Sequence, residues 1–186
     1  MLRTLAVAAV TVWLASGHDA PGPPMPYHDI AGCPFECCGY GDWTAAQRLN
    51  AWRSYDEIGS PRLFAVVPGE RVTATTGVVL TTEPGTVRIT APLTLEVRSR
   101  RFPDALEEVR LEAGDTLYVL SKYGDEERGA WYRGRLLERF DATLLRAPVA
   151  LIEREPVLAW WVRIRNARGQ YGWVRGEGAF KSPGGC

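Results

Sequence analysis

Lysine and histidine are nearly missing from this chain of 186 residues: Lys122 and Lys181 are its only lysines, and His18 and His28 its only histidines. Net charge is missing too, because 22 basic residues meet 22 acidic ones. A balanced chain sets up no overall field toward nucleic acid or an anionic membrane surface, so no nucleic-acid partner is expected. Long apolar runs are also wanting. The one candidate, Leu5 to Leu14, is about half of the ~20 residues a span requires, so no membrane span is expected. No glycine-rich phosphate loop occurs. Both histidines precede every cysteine, which leaves no natural place for a thiolate oriented by a histidine. Acidic pairs such as Glu107/Glu108 and Glu126/Glu127 are charge runs that read as solvated loop surface. The sequence therefore points away from an enzyme and implies no cofactor and no metal.

What is present suits a folded, exported protein. Apolar residues make up 46% and charged residues 24%, enough to bury one or two ordinary cores. The basic residues are almost all arginine, a choice that suits bidentate recognition of carboxylates, although genome-wide composition gives the same bias. Residues 1–17 read as an export signal, with Arg3 as the charged start, Leu5 to Leu14 as the apolar run and Ala15-Ser16-Gly17 as small residues for cleavage. The mature chain is expected to begin near His18 and to reside in the periplasm, the cell envelope or outside the cell. Cys33 lies too far beyond the apolar run to suggest a lipid-modified N-terminus. Residues 18–42 form a leader rich in proline and cysteine. Pro21, Pro23, Pro24 and Pro26 fix backbone angles and remove donors, so its first part is expected to be extended.

From Trp43 the pattern is one of strands, and it repeats. Arg53-Ser54 followed by Pro68-Gly69-Glu70-Arg71-Val72-Thr73 recurs as Arg98-Ser99 followed by Ala113-Gly114-Asp115-Thr116-Leu117-Tyr118, 45 positions later. Val72 to Thr81 is β-branched, and Glu83-Pro84-Gly85 marks a turn into Val87-Arg88-Ile89-Thr90. Thr44-Ala45-Ala46-Gln47 carries a helix-capping pattern, but the repeat favours strand there. In the second copy, Asp115 to Leu120 is a strand, Gly124 to Gly129 a charged loop, and Trp131-Tyr132-Arg133-Gly134-Arg135 another strand. The closing hairpin runs from Trp160 to Arg165, turns at Asn166-Ala167-Arg168-Gly169, and returns from Gln170 to Val174. Alternation places Trp160, Val162 and Ile164 on a core face, and Trp161, Arg163 and Arg165 on a wet one. The expected division is 43–91 for the first copy, 92–181 for the second with an insertion at about 138–157, and 182–186 for a tail.

These segments resemble bacterial SH3-like (SH3b) domain proteins, in two copies. The resemblance rests on Leu95-Glu96-Val97-Arg98-Ser99, on Leu111 to Leu120, and on Trp161-Val162-Arg163-Ile164 through Gly169 to Gly172-Trp173-Val174. It implies an all-β fold of two small SH3-like barrels, in tandem or sharing strands, behind a Cys-rich extended leader. It also implies exported, non-catalytic modules of the kind that bind peptidoglycan or peptides in the cell envelope. The first copy has no Gly-Trp-Val ending, so its barrel is expected to be truncated or completed by strands from its neighbour.

Four cysteines in an exported chain favour disulfides. Adjacent Cys37 and Cys38 are poorly placed to pair with each other, so one is expected to pair with Cys33 and the other with Cys186. A metal site built from three thiolates with His28 or Cys186 is the alternative, without the usual pair of C-x2-C knuckles. Among the aromatics, Trp160 and Trp173 read as core. Trp131, Tyr132, Trp161 and Tyr171, with Arg163 nearby, are the candidates for an exposed ligand shelf, and each also has a purely structural reading. The functional expectation is a non-catalytic binding module of the cell envelope that recognises peptidoglycan or a peptide or protein partner. The alternatives are a structural protein that assembles an envelope complex and a thiol or metal-binding protein.

Overall fold

The computed structural model describes residues 22–34, 39–56, 59–99, 102 and 104–181. The expected signal sequence, the 182–186 tail, and Cys37, Cys38 and Cys186 lie outside the described residues. Within them the chain is all-β, with a single 3-10 turn at Ala142–Leu144. The strands before the midpoint are Tyr27–Ile30 (β1), Asp42–Ala45 (β2), Leu49–Trp52 (β3), Arg62–Val66 (β4), Arg71–Glu83 (β5), Gly85–Ile89 (β6) and Leu93–Arg98 (β7). They are followed by Leu106–Leu111 (β8), Thr116–Tyr123 (β9), Glu127–Tyr132 (β10), Arg135–Asp141 (β11) and Ala150–Arg154 (β12). Val157–Arg165 (β13), Tyr171–Arg175 (β14) and Phe180–Lys181 (β15) complete the set. At β2 the strand reading prevails over the capped helix, because Trp43 and Ala45 alternate inward with Asp42 and Thr44. β1 falls within the leader, which is therefore not extended chain alone: it pairs antiparallel with β5.

The strands form two sheets of matching order. In the first the order is β15-β2-β5-β13-β14-β3-β4, and in the second β12-β6-β9-β10-β11-β7-β8. Replacing β2–β5 by β6–β9, and β13–β15 by β10–β12, turns one order into the other, so the repeat is a duplication of topology. The duplicated glycine turns make the same bonds. Gly69 and Gly114 both have positive φ, 85° and 94°. The Gly69 N–H donates to the Ala45 carbonyl and the Gly114 N–H to that of Ile89, while Ala45 and Ile89 donate back to Glu70 and Asp115. The acidic side chain then accepts from the backbone three residues earlier, Glu70 from Val67 at 3.1 Å and Asp115 from Glu112 at 2.7 Å. A Gly-acid pair is needed because the turn demands a left-handed residue and then a carboxylate acceptor.

The copies are nested rather than consecutive. The hairpin β13–β14, expected to close the second copy, closes the first. It pairs with β5 on one side and β3 on the other. The second sheet is contiguous from β6 to β12 and closes with β10–β11, so residues 138–157 are largely part of its framework rather than an inserted appendage. Trp131 to Arg135 is likewise not one strand. Arg133 and Gly134 have φ values of 46° and 84°, the paired positive angles of a tight hairpin turn. Each sheet covers its own core: Trp43, Val72, Val79, Trp160, Val162 and Ile164 anchor the first, and Ile89, Leu95, Leu111, Leu117, Leu137 and Phe140 the second.

Between the cores runs a seam of polar groups that glycines make room for. Thr81, fully buried, donates through Oγ1 to the Leu120 carbonyl at 2.5 Å. Tyr40 donates its hydroxyl to the Gly32 carbonyl at 2.9 Å, and that hydroxyl and the Trp160 indole nitrogen both crowd the space beside Gly77. That oxygen lies 2.1 Å from where a Cβ on Gly77 would sit, and the Ser121 Oγ lies 2.4 Å from one on Gly129. Ser121 donates to the Tyr123 hydroxyl at 3.0 Å, and Tyr123 in turn hydrogen-bonds Asp29. Burial raises the Asp29 carboxyl above its ordinary value, with the Tyr123 bond and the Arg139 charge only partly offsetting it. Its Oδ2 is buried and has no hydrogen-bond partner among the described residues.

Two outcomes follow for this seam. Gly77→Ala is expected to cost about 2–3 kcal/mol in urea unfolding, with part of the loss recovered when Tyr40→Phe removes the clashing hydroxyl. Asp29 should favour folding most at pH below 3.8, its ordinary value, and increasingly oppose it as pH rises through its higher folded-state pKa. Asp29→Asn should therefore stabilise the protein at neutral pH relative to acid pH. Parallel stability curves for the two proteins across that range would refute the buried-carboxylate assignment.

Candidate functional site

The first sheet turns one face to its core and leaves the other open, and the register places the open face's side chains in rows. Residues directly opposite across a ladder point the same way. Trp161 alternates with buried Trp160 and Val162, so it projects outward, as does its partner Arg175, whereas its other partner, Val78, is buried. The next row is Thr76, Arg163, Trp173, Trp52 and Arg62. The row beyond is Asp42, Thr73, Arg165 and Tyr171, with Arg71 two residues further along β5 on the same side. A bulge at Thr75 keeps Thr73, Thr76 and Val78 on one face, and Thr75 donates through Oγ1 to the Arg163 carbonyl at 3.1 Å.

Aromatic rings and guanidinium groups interleave across these rows. The Arg163 guanidinium carbon stands 4.9 Å from the Tyr171 ring centre, and that of Arg175 stands 5.3 Å from the Trp161 ring. Tyr55, from the β3–β4 loop, meets Trp173 edge to face at 4.7 Å, and its hydroxyl lies 3.1 Å from His28 Nδ1. Burial, aided by the Asp56 charge, raises the Tyr55 phenol, so it stays neutral at ordinary pH. Stacked this way, both arginines pack against the rings, and Arg175 turns its hydrogen-bonding edge to Glu177.

Charge is distributed unequally between the sheets. On the second sheet, Arg88 pairs with Glu153, Arg110 with Glu112, Arg135 with Glu107 and Arg139 with Glu127. On the open face of the first, Arg175 is neutralised by Glu177, whereas Arg62, Arg71, Arg163 and Arg165 form no ion pair among the described residues. A chain with no net charge thus carries a locally basic, aromatic face.

The structure separates the expected shelf into three. Trp161, Arg163 and Tyr171 share the open face just described. Trp131 belongs to the second sheet, where it lines a groove of about 350 Å³ with Arg98, Glu107, Arg135 and Leu137. Tyr132 is not exposed at all. It is 4% accessible, and its hydroxyl donates to Asp115 at 2.6 Å and lies 3.3 Å from the Arg110 carbonyl. Burial and the Asp115 charge push its phenol up to about 12. Burial would raise Asp115 as well, but the hydrogen bonds from Tyr132, the Glu112 N–H and Arg133 outweigh it and hold that carboxyl below its ordinary value. Trp173 is the converse correction. Expected in the core, it lies on the open face, because Gly172 and Val174 on either side of it point inward. That alternation was available in Gly172-Trp173-Val174 itself.

Cys33 is disulfide-bonded and packs against the first core. The expected pairing with Cys37, Cys38 or Cys186 falls outside the described residues. Among the described residues no three His, Cys, Asp or Glu side chains gather in a way that would hold a metal.

The buried Tyr132 gives a test of this division. Tyr132→Phe is expected to lower stability by about 1–2 kcal/mol, by removing one of the three hydrogen bonds to the Asp115 carboxylate, and to leave the open face of the first sheet unaltered in amide spectra. Comparison with protein-family models, curated proteins and solved structures returns no match.

Proposed function

We propose that the protein is an exported, non-catalytic binding module of the cell envelope, built from two SH3-like copies, that recognises peptidoglycan through its peptide portion. The observation that carries this reading is the open face of the first sheet. There, Trp52, Trp161, Tyr171 and Trp173 alternate with arginines, two of them stacked on rings and most of them without a carboxylate partner. Aromatic faces supply contact area to sugar rings and peptide side chains at low entropic cost, and unpaired guanidinium groups supply hydrogen bonds to carboxylates. The duplicated small-sheet topology supports the SH3-like reading, and the export pattern at the N-terminus supports the location.

Co-sedimentation of the mature, oxidised protein with purified cell-wall sacculi tests the proposal. Wild type and Trp131→Ala should pellet alike, while Trp161→Ala combined with Trp173→Ala should stay in the supernatant with its fold intact by circular dichroism. Loss of pelleting by Trp131→Ala alone would move the site to the second sheet. Failure of the wild type to pellet would reject wall recognition in favour of a protein partner in envelope assembly.

A further inference from the structure

At one end of the open face the rows run into a cleft of about 380 Å³ between β2, β5 and the β13–β14 turn. Its walls include Asp42, Arg71, Thr73, Arg165 and the turn residues Ala167 and Gly169. Arg71 and Arg165 project into the region from strands that are antiparallel neighbours, Arg165 directly opposite Thr73 and Arg71 two residues away on the same face. Neither forms an ion pair or hydrogen bond among the described residues.

The one acid in the cleft is already engaged. The Thr73 hydroxyl donates to the Asp42 carboxylate at 2.8 Å, which orients that group along β2 and β5. Its charge still counts. Two guanidinium groups and one carboxylate leave a single net positive charge, which suits a monoanion and disfavours a second negative charge on the ligand.

The turn adds a backbone donor. Asn166 fixes its shape by accepting from the backbone N–H groups of Arg168 and Gln170, both at 3.0 Å, while its own carbonyl accepts from Gly169 at 3.0 Å. The Ala167 N–H is left without an acceptor among the described residues, and Ala167 lines the cleft. Two planar forks and one amide are the donor set that a carboxylate takes up.

We infer that this cleft binds the free carboxylate of a peptide, and so fixes the end of a ligand whose remaining length passes Tyr171 and lies along the row of Arg163 and Trp173. The inference rests on the wall-binding reading for its biological setting, but the chemistry of the cleft is testable without a wall. Arg163 and Tyr171 adjoin the cleft directly, since Tyr171 is the cross-strand partner of Arg165. A ligand held at its carboxylate would thus pass its last side chain over the Tyr171 ring.

The test is a nuclear magnetic resonance titration of the full mature chain with N-acetyl-alanyl-alanine, its C-terminal amide, and inorganic phosphate, following the arginine Nε–H and Ala167 amide signals. The free-carboxylate dipeptide is expected to shift Arg71, Arg165 and Ala167, and its amide to shift none of them. Arg71→Gln or Arg165→Gln should weaken the carboxylate by at least about tenfold with the remaining spectrum unchanged, while Arg110→Gln on the second sheet should have no effect. Equal response to the amide, tighter binding of phosphate than of the dipeptide, or undiminished binding by Arg165→Gln would each overturn the assignment. The wall assay separates the two readings. If Arg165→Gln pellets with sacculi like wild type and no dipeptide shift is seen, the carboxylate site falls and wall binding stands. If wild type fails to pellet but the dipeptide still titrates, the site stands and its ligand is another peptide terminus.

Discussion

The antiparallel ladder between β5 and β13 is the constraint from which the remaining structure follows. It runs from Glu83 opposite Val157 to Thr73 opposite Arg165, so it joins the two sequence segments of the interrupted copy along almost the whole of these two strands. Its inner side supplies Val72, Val79, Trp160 and Val162 to the core, and its outer side supplies Thr73, Trp161, Arg163 and Arg165 to the open face. Gly77 permits this. Any side chain there would collide with Tyr40, with the Trp160 indole and with the Trp161 carbonyl. The same ladder therefore sets the core, the polar seam and the spacing of the candidate site, and a disturbance at one of them is felt at the others.

Local features of this fold were legible in the sequence, because local physics determines them. Alternation along Trp160 to Arg165 separates core from open face as the strand requires. The Gly-acid pairs are visible because a left-handed turn followed by a carboxylate acceptor leaves few other residue choices. Membership of the closing hairpin was not legible. Trp160 to Val174 looks the same whether it pairs with β5 or with β9, since period-2 alternation reports which side chains face inward and carries nothing about the strand alongside. Sequence order then suggested the nearer copy, and the nested arrangement defeats that assumption.

The candidate site shows the same limit. Trp161, Arg163 and Tyr171 were found because they lie on the wet side of one hairpin, whereas Arg71 and Asp42 join them only through ladders spanning many residues. Tyr132 was misplaced because Arg133 and Gly134 both take left-handed angles, so that a run resembling one strand is a hairpin corner. Trp173 was misplaced because its bulk suggested burial, although its neighbours Gly172 and Val174 had already claimed the inward direction.

Nesting also orders the assembly of the molecule. The second copy is continuous, from Gly85 to Arg154, and holds its own first and last strands close together, with Gly85 packed against Arg154 and Pro156. The first copy must bring together β5 and β13 across everything between them, a long closure whose entropic cost opposes pairing. Once the second copy has folded, the two strands emerge from it side by side and the long closure becomes a short one. The inner copy thus acts as an intramolecular clamp for the outer one: the outer sheet, with its aromatic and arginine face, depends on the inner copy for its closure.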